Sequence, residues 1–381
     1  MRLCLVAAKP TDAVLEGFLP AAARLGLDVR VLTDRPAAYP DVATTRCDVW
    51  DHRALIGALA AGPAPDAVFS NSDHLQAQTA LAAAYFGLPG KDWRSSLRAK
   101  NKPLMRHRLA ASPGAVAWAE LTADSPLPDL PYPVVLKPAE GVASEDVVLV
   151  AGPADLARRR EEILARRGPG ERLIAEEFLG GPLRTLETVG DGHTTWVLGG
   201  FLTEVSPPPL FIEEQLTWDP RPSVAPVLRA LGDLGVGFGA CHTEFIGDRI
   251  VEVNDRLIGD RCEFLLDSLL AADLFELVLR VHLGERLPAS SPPPPRLAAV
   301  ASYISAQRPG LLRSAPRPGP VAPADPGVDL RYWPFARVGE RIGGAGSNRD
   351  YLGVFTAAGP DPAAVSRSVA AARAGGSWEV A

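Results

Sequence analysis

One acidic segment near position 250 constrains this chain more than any other. Residues 239–260 read GACHTEFIGDRIVEVNDRLIGD, and Gly247-Asp248-Arg249 predicts a three-residue hairpin loop between two short strands. The predicted register sets Ile246 opposite Ile250 and Glu244 opposite Glu252. Because side chains alternate along a strand, one face carries Glu244, Glu252 and Asn254, and the other carries Phe245, Val251 and Val253. Facing carboxylates repel, but with an amide oxygen they suit Mg²⁺. The alternative interpretation is a solvent-exposed hairpin face that binds no metal.

Length and composition limit the number of domains and the class of protein. The 381 residues suffice for two or three domains, and 47% hydrophobic with 22% charged residues is typical of a globular protein. A formal net charge of −6 gives no reason to expect nucleic acid or an anionic membrane as a partner. No apolar run is long enough to predict a membrane span. The four cysteines form no C-x-x-C pair, which favours reduced thiols and a cytoplasmic location.

The N-terminal segment predicts a parallel sheet. Residues 2–8 and 28–33 have the pattern of strands, and they flank a helix at 11–26, which is a βαβ unit of the α/β class. Ligands of such sheets bind beyond the carboxyl ends of the strands, which places the Ser-Asn-Ser-Asp turn at 70–73 beside a pocket. An ordinary helix N-cap explains the same turn more simply.

Two lysines stand out in the next part of the chain. Lys102 lies in a predicted basic helix at 95–112, and Lys137 lies in the apolar strand 134–138, just before a turn at 139–146. A lysine in so apolar a strand is seldom a casual surface charge, and it could reach phosphates as a point charge. The turn could lay backbone N–H groups over phosphates, although it has only one glycine. A lysine that reaches solvent from an edge strand is the competing interpretation.

The order of these motifs carries a family resemblance. Lys102 is followed by Lys137 with its turn, then by the tetrapeptide EEFL at 176–179, and then by the acidic hairpin and Arg256. This ordered set resembles the ATP-grasp superfamily, specifically its carboxylate–amine ligases, including L-amino-acid ligases and ligases of natural-product and siderophore pathways. The resemblance covers residues 95–285 by motif and extends more loosely to both ends of the chain.

The resemblance implies an ATP-grasp architecture that is α/β, with α+β parts. It implies an N-terminal parallel βαβ domain at 1–95, a small lid and nucleotide-binding subdomain at 96–190, and a C-terminal antiparallel-sheet domain at 191–381. The last domain would hold the metal hairpin and a closing sheet near 339–359.

The resemblance also implies the site. For ATP it implies Lys102, Lys137, Ser144, Glu176, Glu177, Phe178, Leu179 and Glu187. For Mg²⁺, with Mn²⁺ as a second option, it implies Glu244, Glu252 and Asn254. For catalysis it implies Arg256, Lys137 and His242, although His242 is as readily a structural histidine. Substrate contacts are predicted at Arg261, Arg341 and Asp73, because an arginine can clamp a carboxylate and Asp73 lies in the 70–73 turn, and the segment 204–215 is a further candidate.

Several positions depart from the family pattern. Leu183 stands where a glutamate usually holds the ribose hydroxyls, so Glu187 is the predicted substitute. Glu145 and Asp146 stand in the turn at 139–146, which we call the phosphate turn. Both side chains must point outward, because acids repel phosphates. Asp255 replaces the proline of the usual Asn-Pro-Arg.

The implied activity is ATP-dependent ligation in small-molecule biosynthesis. A carboxylate attacks the γ-phosphate, an acyl phosphate forms, and an amine displaces phosphate. The expected partners are a small-molecule carboxylate and an amine, and the resemblance suggests a homodimer. The rival functions are ATP-grasp chemistry of the biotin carboxylase or purine-biosynthesis type, and a nucleotide-binding module without catalysis.

Overall fold

The computed structural model describes residues 1–168, 170–222, 224–293, 295–344 and 346–381. Ala345, within the predicted closing segment 339–359, lies outside the described residues. The elements of the first half are β1 (Arg2–Val6), a π-helical segment (Ala13–Phe18), α1 (Leu19–Arg24), β2 (Asp28–Thr33), a 3₁₀ turn (Pro36–Ala38), β3 (Ala43–Arg46), α2 (His52–Ala60), β4 (Ala67–Phe69), α3 (Gln76–Tyr85), α4 (Trp93–Lys100), α5 (Lys102–Leu109), β5 (Trp118–Leu121), β6 (Val134–Pro138), β7 (Val148–Val150), α6 (Pro153–Arg167) and β8 (Leu173–Glu177). Those of the second half are β9 (Leu183–Asp191), β10 (Thr195–Val205), β11 (Glu213–Asp219), α7 (Ala225–Leu234), β12 (Phe238–Ile246), β13 (Arg249–Asn254), α8 (Cys262–Leu269), α9 (Leu274–His282), β14 (Ala298–Ser305), β15 (Gly310–Ser314), β16 (Gly319–Pro320), β17 (Asp329–Pro334), β18 (Arg341–Ile342), a 3₁₀ turn (Asn348–Asp350), β19 (Tyr351–Gly359), α10 (Pro362–Gly375) and β20 (Glu379–Val380).

The N-terminal segment forms the predicted parallel sheet. Its strand order is β3-β2-β1-β4, and each neighbouring pair is parallel. β1 is buried along almost its whole length, as expected for a strand of a parallel sheet with both faces covered. The turn at 70–73 follows β4 directly and so lies at the carboxyl ends of the strands.

The basic segment at 95–112 is two helices, not the single helix that the sequence predicts. The chain breaks at Asn101, whose side chain accepts a hydrogen bond from the Leu104 N–H at 3.0 Å and caps α5. Pro103 lies in the first turn of α5, where its missing N–H costs nothing. Lys102 is therefore the first residue of a helix, and its N–H donates to the Ala139 carbonyl at 3.1 Å.

A small antiparallel sheet follows, with strand order β5-β8-β6-β7. Helix α6 packs on it around an apolar cluster that includes Leu136, Leu156 and Leu173. The domain limits at 95 and 190 remain predictions. The small sheet ends with β8 at Glu177, and β9 already belongs to the next sheet.

The large sheet holds the acidic hairpin at one edge. Its strand order is β13-β12-β9-β10-β11-β14-β19-β17-β16, and the pairs are antiparallel. Helices α8 and α9 pack against it, and Phe275 of α9 meets Phe18 of the N-terminal segment with ring centroids 5.1 Å apart. The predicted α/β class with an antiparallel C-terminal sheet is confirmed. In the described parts of the chain, no helix has the length and apolarity to cross a membrane.

Candidate active site

A cavity of about 610 Å³ lies between the small sheet, the acidic hairpin and the large sheet. Most of the predicted site residues line it: Asp73, Lys102, Lys137, Ser144, Glu176, Glu177, Phe178, Leu179, His242, Glu244, Glu252, Asn254 and Arg256. Glu187, Arg261 and Arg341 are the predicted residues that do not. The fold thus gathers residues that are up to about 180 positions apart in the sequence around one space.

The hairpin loop is shorter than the sequence predicts. Ile246 pairs with Arg249, so the loop is Gly247-Asp248, and the predicted pairing of Ile246 with Ile250 is wrong. The difference is a β-bulge at Val251, which has no partner in the register. The bulge turns Val251 toward the cavity and leaves Ile250 in the core, so the predicted core face is also wrong at Val251.

The facing acid pair is present as predicted. Glu244 lies opposite Glu252, and His242 lies opposite Asn254. The side chains of Glu244 and Glu252 are 20% and 22% exposed, and both line the cavity. Lys102 Nζ lies 3.1 Å from the Glu252 carboxylate, and His242 Nε2 lies 3.6 Å from the Glu244 carboxylate. Buried cations thus relieve the repulsion between the two acids.

His242 is held as a cation. Its Nδ1 lies 2.8 Å from the Glu187 carboxylate, which also accepts a hydrogen bond from the Thr185 hydroxyl. Burial alone would lower the pKa of His242, but Glu187 and Glu244 outweigh burial and raise that pKa to about 10. Glu187 therefore contacts His242 on the side away from the cavity, and it does not line the cavity itself. Its predicted role at the ribose finds no support here.

Lys137 belongs to a buried charge cluster. Its Nζ lies 2.7 Å from Glu176, and Arg106 Nε lies 2.6 Å from the same carboxylate. The side chains of all three residues are at most 6% exposed. Burial raises the pKa of Glu176, but the two cations outweigh it and lower that pKa to about 2. Burial lowers the pKa of Lys137. One carboxylate thus keeps two cations in place inside the cavity wall.

The phosphate turn keeps its acids away from the cavity, as expected. Asp146 pairs with Arg166 and Arg167, and Glu145 pairs with Arg167 and Arg349. Neither acid lines the cavity, whereas Gly141, Val142, Ala143 and Ser144 do. Ala143 and Ser144 have φ angles of 57° and 53°, a left-handed conformation that is costly for residues with a Cβ. The turn is therefore shaped by its surroundings and not by glycine.

The end of the cavity next to the EEFL segment is apolar. Phe178 is 38% exposed, and its ring centroid lies 6.3 Å from that of Phe211. Leu183 lines this end, together with Val116, Val135 and Ile246. A flat aromatic group could bury its surface here.

The opposite end lies against the N-terminal domain. Leu257 N–H donates to the Asn71 side chain at 3.2 Å, and Asp73 pairs with Lys100. Arg256 donates to its neighbour's carbonyl at 2.7 Å, and it forms no ion pair within the described residues. The 70–73 turn is thus part of the wall that holds the arginine.

Asp255 has a structural reason to replace proline. Its carboxylate accepts bonds from Lys91 Nζ at 2.7 Å and from the Ser96 hydroxyl at 2.6 Å. Lys91 also donates to the carbonyls of Asp255 and Ala240. This buried pair ties helix α4 to the strand end that carries Asn254 and Arg256.

Sequence reasoning missed several lining residues, among them Arg106, Asp260 and Asn348. Glu213 also lines the cavity, and it lies in the segment 204–215 that is predicted for substrate. No local motif marks them, and the one signal was that Arg106 and Asp260 lie close to predicted residues. Burial, then Glu244, raises the pKa of Glu213.

Two of the arginines predicted for substrate lie elsewhere. Arg261 pairs with Asp12 and Glu16 at 2.8 and 2.6 Å and lies over the Trp333 ring. Arg341 lines a smaller, separate cavity of about 250 Å³, which shares Asp260 and Asn348 with the large one. The structure offers Arg261 no contact with a ligand in the large cavity.

The donors at the hairpin fit a metal ion that is shared with phosphate. Among the described residues, no group of three or more histidine, cysteine, aspartate or glutamate side chains is arranged to hold a metal by itself. Two carboxylates and an amide match Mg²⁺, which typically takes one or two carboxylates plus phosphate and water oxygens.

Comparison with known proteins places this chain. No family model matches it. An uncharacterized protein of Sinorhizobium fredii (strain NBRC 101917 / NGR234), y4rH, is 30% identical over 393 residues, which cover 94% of this chain and 79% of that protein.

Three solved structures share the fold along the whole of this chain. The L-amino acid ligase from Bacillus licheniformis has a TM-score of 0.79 at 20% identity, with 98% of its chain covered. The phosphoribosylglycinamide synthetase from Anaerococcus prevotii has a TM-score of 0.70 at 13% identity, with 99% covered. The biotin carboxylase domain of the Hydrogenobacter thermophilus 2-oxoglutarate carboxylase, in complex with magnesium ADP, has a TM-score of 0.68 at 18% identity, with 90% covered. The chain therefore belongs to the family of the Sinorhizobium fredii protein y4rH, and it shares the fold of these three ATP-dependent enzymes.

Proposed function

We propose that the protein is an ATP-dependent ligase that joins a carboxylate to an amine through an acyl phosphate. One observation carries the proposal: a single cavity unites two buried lysines, Lys102 and Lys137, with the facing acids Glu244 and Glu252 and with Arg256. The likeness in fold to an L-amino acid ligase and to a domain that holds magnesium ADP supports it.

The cavity offers separate places for the parts of ATP. The adenine would lie at the apolar end against Phe178 and Leu179, and the phosphates would lie near Lys102, Lys137 and the Ser144 turn. Glu244, Glu252 and Asn254 would hold Mg²⁺, and Mn²⁺ suits the same oxygen donors. When bound, the metal offsets negative charge on the β- and γ-phosphates during transfer.

The residues of this chain then position and stabilise charge. An oxygen of the substrate carboxylate bonds to the γ-phosphorus, and the broken P–O bond leaves its electron pair on ADP. The amine attacks the acyl carbon, the C–O bond breaks, phosphate leaves, and the ammonium proton is lost to solvent. Arg256 has no carboxylate partner among the described residues, so its charge is available to the acyl phosphate. His242 keeps Glu244 oriented through the contact with its Nε2.

The partners and location follow from the same proposal and stay predictions. The substrates would be a small carboxylate and a small amine, in the biosynthesis of a dipeptide, another natural product or a siderophore. A homodimer and a cytoplasmic location are part of this proposal.

Product identification tests the proposal. The protein is incubated with ATP, Mg²⁺ and a panel of amino acids, hydroxy acids and polyamines, and ADP release and product masses are recorded. We expect ADP release to require a carboxylate and an amine together, with a product mass equal to their sum minus water. Binding of ATP without turnover would favour the non-catalytic module instead. Turnover with bicarbonate would favour the carboxylase or purine-biosynthesis type of chemistry.

A further inference from the structure

The 3₁₀ turn at Asn348–Asp350 is held rigidly at the edge of the cavity. Ser347 and Asp350 form a capping box around it, and the Asp350 carboxylate accepts the Gly346 N–H at 2.6 Å. Asn348 lies within this turn and lines both the large cavity and the smaller one. A residue placed on so fixed a support can hold other groups in position.

Asn348 holds Glu213 on two sides. Its Nδ2 donates to the Glu213 carboxylate at 3.1 Å, and its Oδ1 accepts the Glu213 N–H at 3.2 Å. Tyr351, at the end of the same turn, donates its hydroxyl to the Glu213 carbonyl at 2.7 Å. The Glu213 carboxylate forms no ion pair within the described residues, so Asn348 provides its one direct side-chain partner there.

The 3₁₀ turn at Asn348–Asp350 also contacts the phosphate turn at 139–146. The Asn348 N–H donates to the Ala143 carbonyl at 3.0 Å, and Arg349 Nε donates to the Glu145 carboxylate at 3.2 Å. Ala143 carries one of the left-handed φ angles, which are unfavourable for a residue with a Cβ. This conformation of the phosphate turn therefore needs support from outside, and Asn348 supplies part of it.

We propose that Asn348 is a positioning residue that joins the phosphate turn to Glu213, and that a substrate of the reaction contacts the Glu213 carboxylate in the cavity that it lines. Through one side chain and its own N–H, the position of the phosphate turn and the orientation of the Glu213 carboxylate are set together. The turn over the phosphates is then complete only when Glu213 is also in place, which links ATP cleavage to an occupied substrate site. The effect on ATP cleavage rests on the proposed ligase function. The link between the phosphate turn and Glu213 rests on the hydrogen-bond geometry alone.

Hydrogen exchange tests the structural part without any turnover. Exchange of the peptide covering 139–147 is compared in the wild type, Asn348→Ala and the near-isosteric Asn348→Asp, with and without a non-hydrolysable ATP analogue. We expect exchange of this peptide to rise at least tenfold in both variants, even without nucleotide, because losing the side-chain bond to the Glu213 carboxylate loosens residue 348, whose backbone N–H holds the Ala143 carbonyl. Gln307→Ala is the matched control, because Gln307 is an exposed amide whose side chain, among the described residues, bonds to the nearby Ser305 carbonyl alone.

A double variant that exchanges the amide and the carboxylate distinguishes loss of the hydrogen bond between residues 213 and 348 from loss of the Glu213 carboxylate itself. In Glu213→Gln/Asn348→Asp, the glutamine can donate to the aspartate, and the aspartate still accepts the backbone N–H of residue 213. We expect this double variant to restore wild-type exchange of 139–147 while ligation stays impaired. If Asn348→Ala does not fold, Asn348→Asp and the double variant carry the same comparison.

Kinetics tests the link to substrate. We expect Asn348→Asp to raise the KM for the carboxylate or amine about tenfold or more, and to release ADP in excess of product, while ATP affinity changes less than threefold. Unchanged exchange of 139–147 in both single variants would overturn the inference. Faster exchange in the two variants, together with a wild type that never turns over ATP, would leave the tie standing and refute the proposed function instead.

Discussion

Replacing Glu176 with glutamine should destabilise the protein strongly at neutral pH. The change leaves Lys137 and Arg106 as buried cations without their shared carboxylate. Removing one partner of a buried ion pair costs about 3–5 kcal/mol. The fall of the pKa of Glu176 from 4.5 to about 2 gives a second figure of about 3 kcal/mol, at about 1.4 kcal/mol for each tenfold change in proton affinity. Two independent arguments therefore agree on the size of the effect.

The difference in free energy of unfolding between wild type and Glu176→Gln should depend on pH. Because the folded-state pKa of Glu176 lies below the unfolded value, the carboxylate contributes its full stability above about pH 4.5, and that contribution is lost as the pH falls toward 2. The free energy of unfolding should thus differ most between wild type and Glu176→Gln at pH 7, and the difference should shrink by most of about 3 kcal/mol at pH 2–3.

Urea unfolding followed by both circular dichroism and tryptophan fluorescence measures this difference, with coincident transitions required before a free energy is assigned. Glu162→Gln is the matched control, because Glu162 pairs with Arg158 on the exposed surface of α6. We expect no measurable change for Glu162→Gln. A Glu176→Gln variant as stable as wild type at pH 7, or a deficit that stays constant down to pH 2.5, would refute the reasoning.

Three further substitutions test the site. Lys137→Met should weaken ATP binding about tenfold or more, measured by calorimetry, because a charged hydrogen-bond donor to phosphate is lost; unchanged affinity would remove Lys137 from the site. Glu252→Gln should abolish metal-dependent ADP release while the fold, checked by circular dichroism, persists; retained turnover would overturn the metal assignment. Lys91→Met should lower the free energy of unfolding by about 3–5 kcal/mol, because Asp255 would keep only Ser96 as a side-chain partner; urea titration checks this, and exposed Arg94→Met should have no such effect.

Local patterns in the sequence predicted the parts of the site that local rules determine. Alternation along two strands and a short loop suffice to set Glu244 opposite Glu252, and this pairing is confirmed. The same rules failed at the bulge, since Val251 is turned by a residue far away in the sequence. Arg106 donates to the carbonyls of Ile250 and Val251 at 2.7 and 3.3 Å, across about 145 positions. No periodicity within the hairpin carries that information.

Other misses have the same physical origin. Asp255 differs from the family pattern in the sequence, but its partner Lys91 is brought to it only by the docking of α4. Glu213 lies in the segment 204–215 predicted for substrate, but no motif singles it out there, and it enters the cavity because β11 pairs with β10 and β14 in the large sheet. Arg261 had the residue type expected for binding a carboxylate, but Asp12 and Glu16 of the N-terminal domain already occupy it. Residue type predicts what a side chain can bind, and tertiary contacts decide whether it is free to do so.

The charges in the cavity are arranged so that a nucleotide and its metal should bind together. Lys102 is paired with Glu252, one of the predicted metal ligands, with the lysine side chain 4% exposed. A nucleotide alone would draw Lys102 toward its phosphates and leave Glu252 without a cation in a partly buried site, which is costly. With Mg²⁺ present, Glu252 gains the metal as Lys102 gains phosphate, so each charge exchanges one partner for another. Nucleotide affinity should therefore rise at least tenfold with Mg²⁺, and this gain should shrink in Glu252→Gln, where Lys102 leaves no carboxylate behind and one predicted metal ligand is lost. Equal affinities with and without Mg²⁺ in the wild type would mean that Lys102 and Glu252 do not separate when the nucleotide enters.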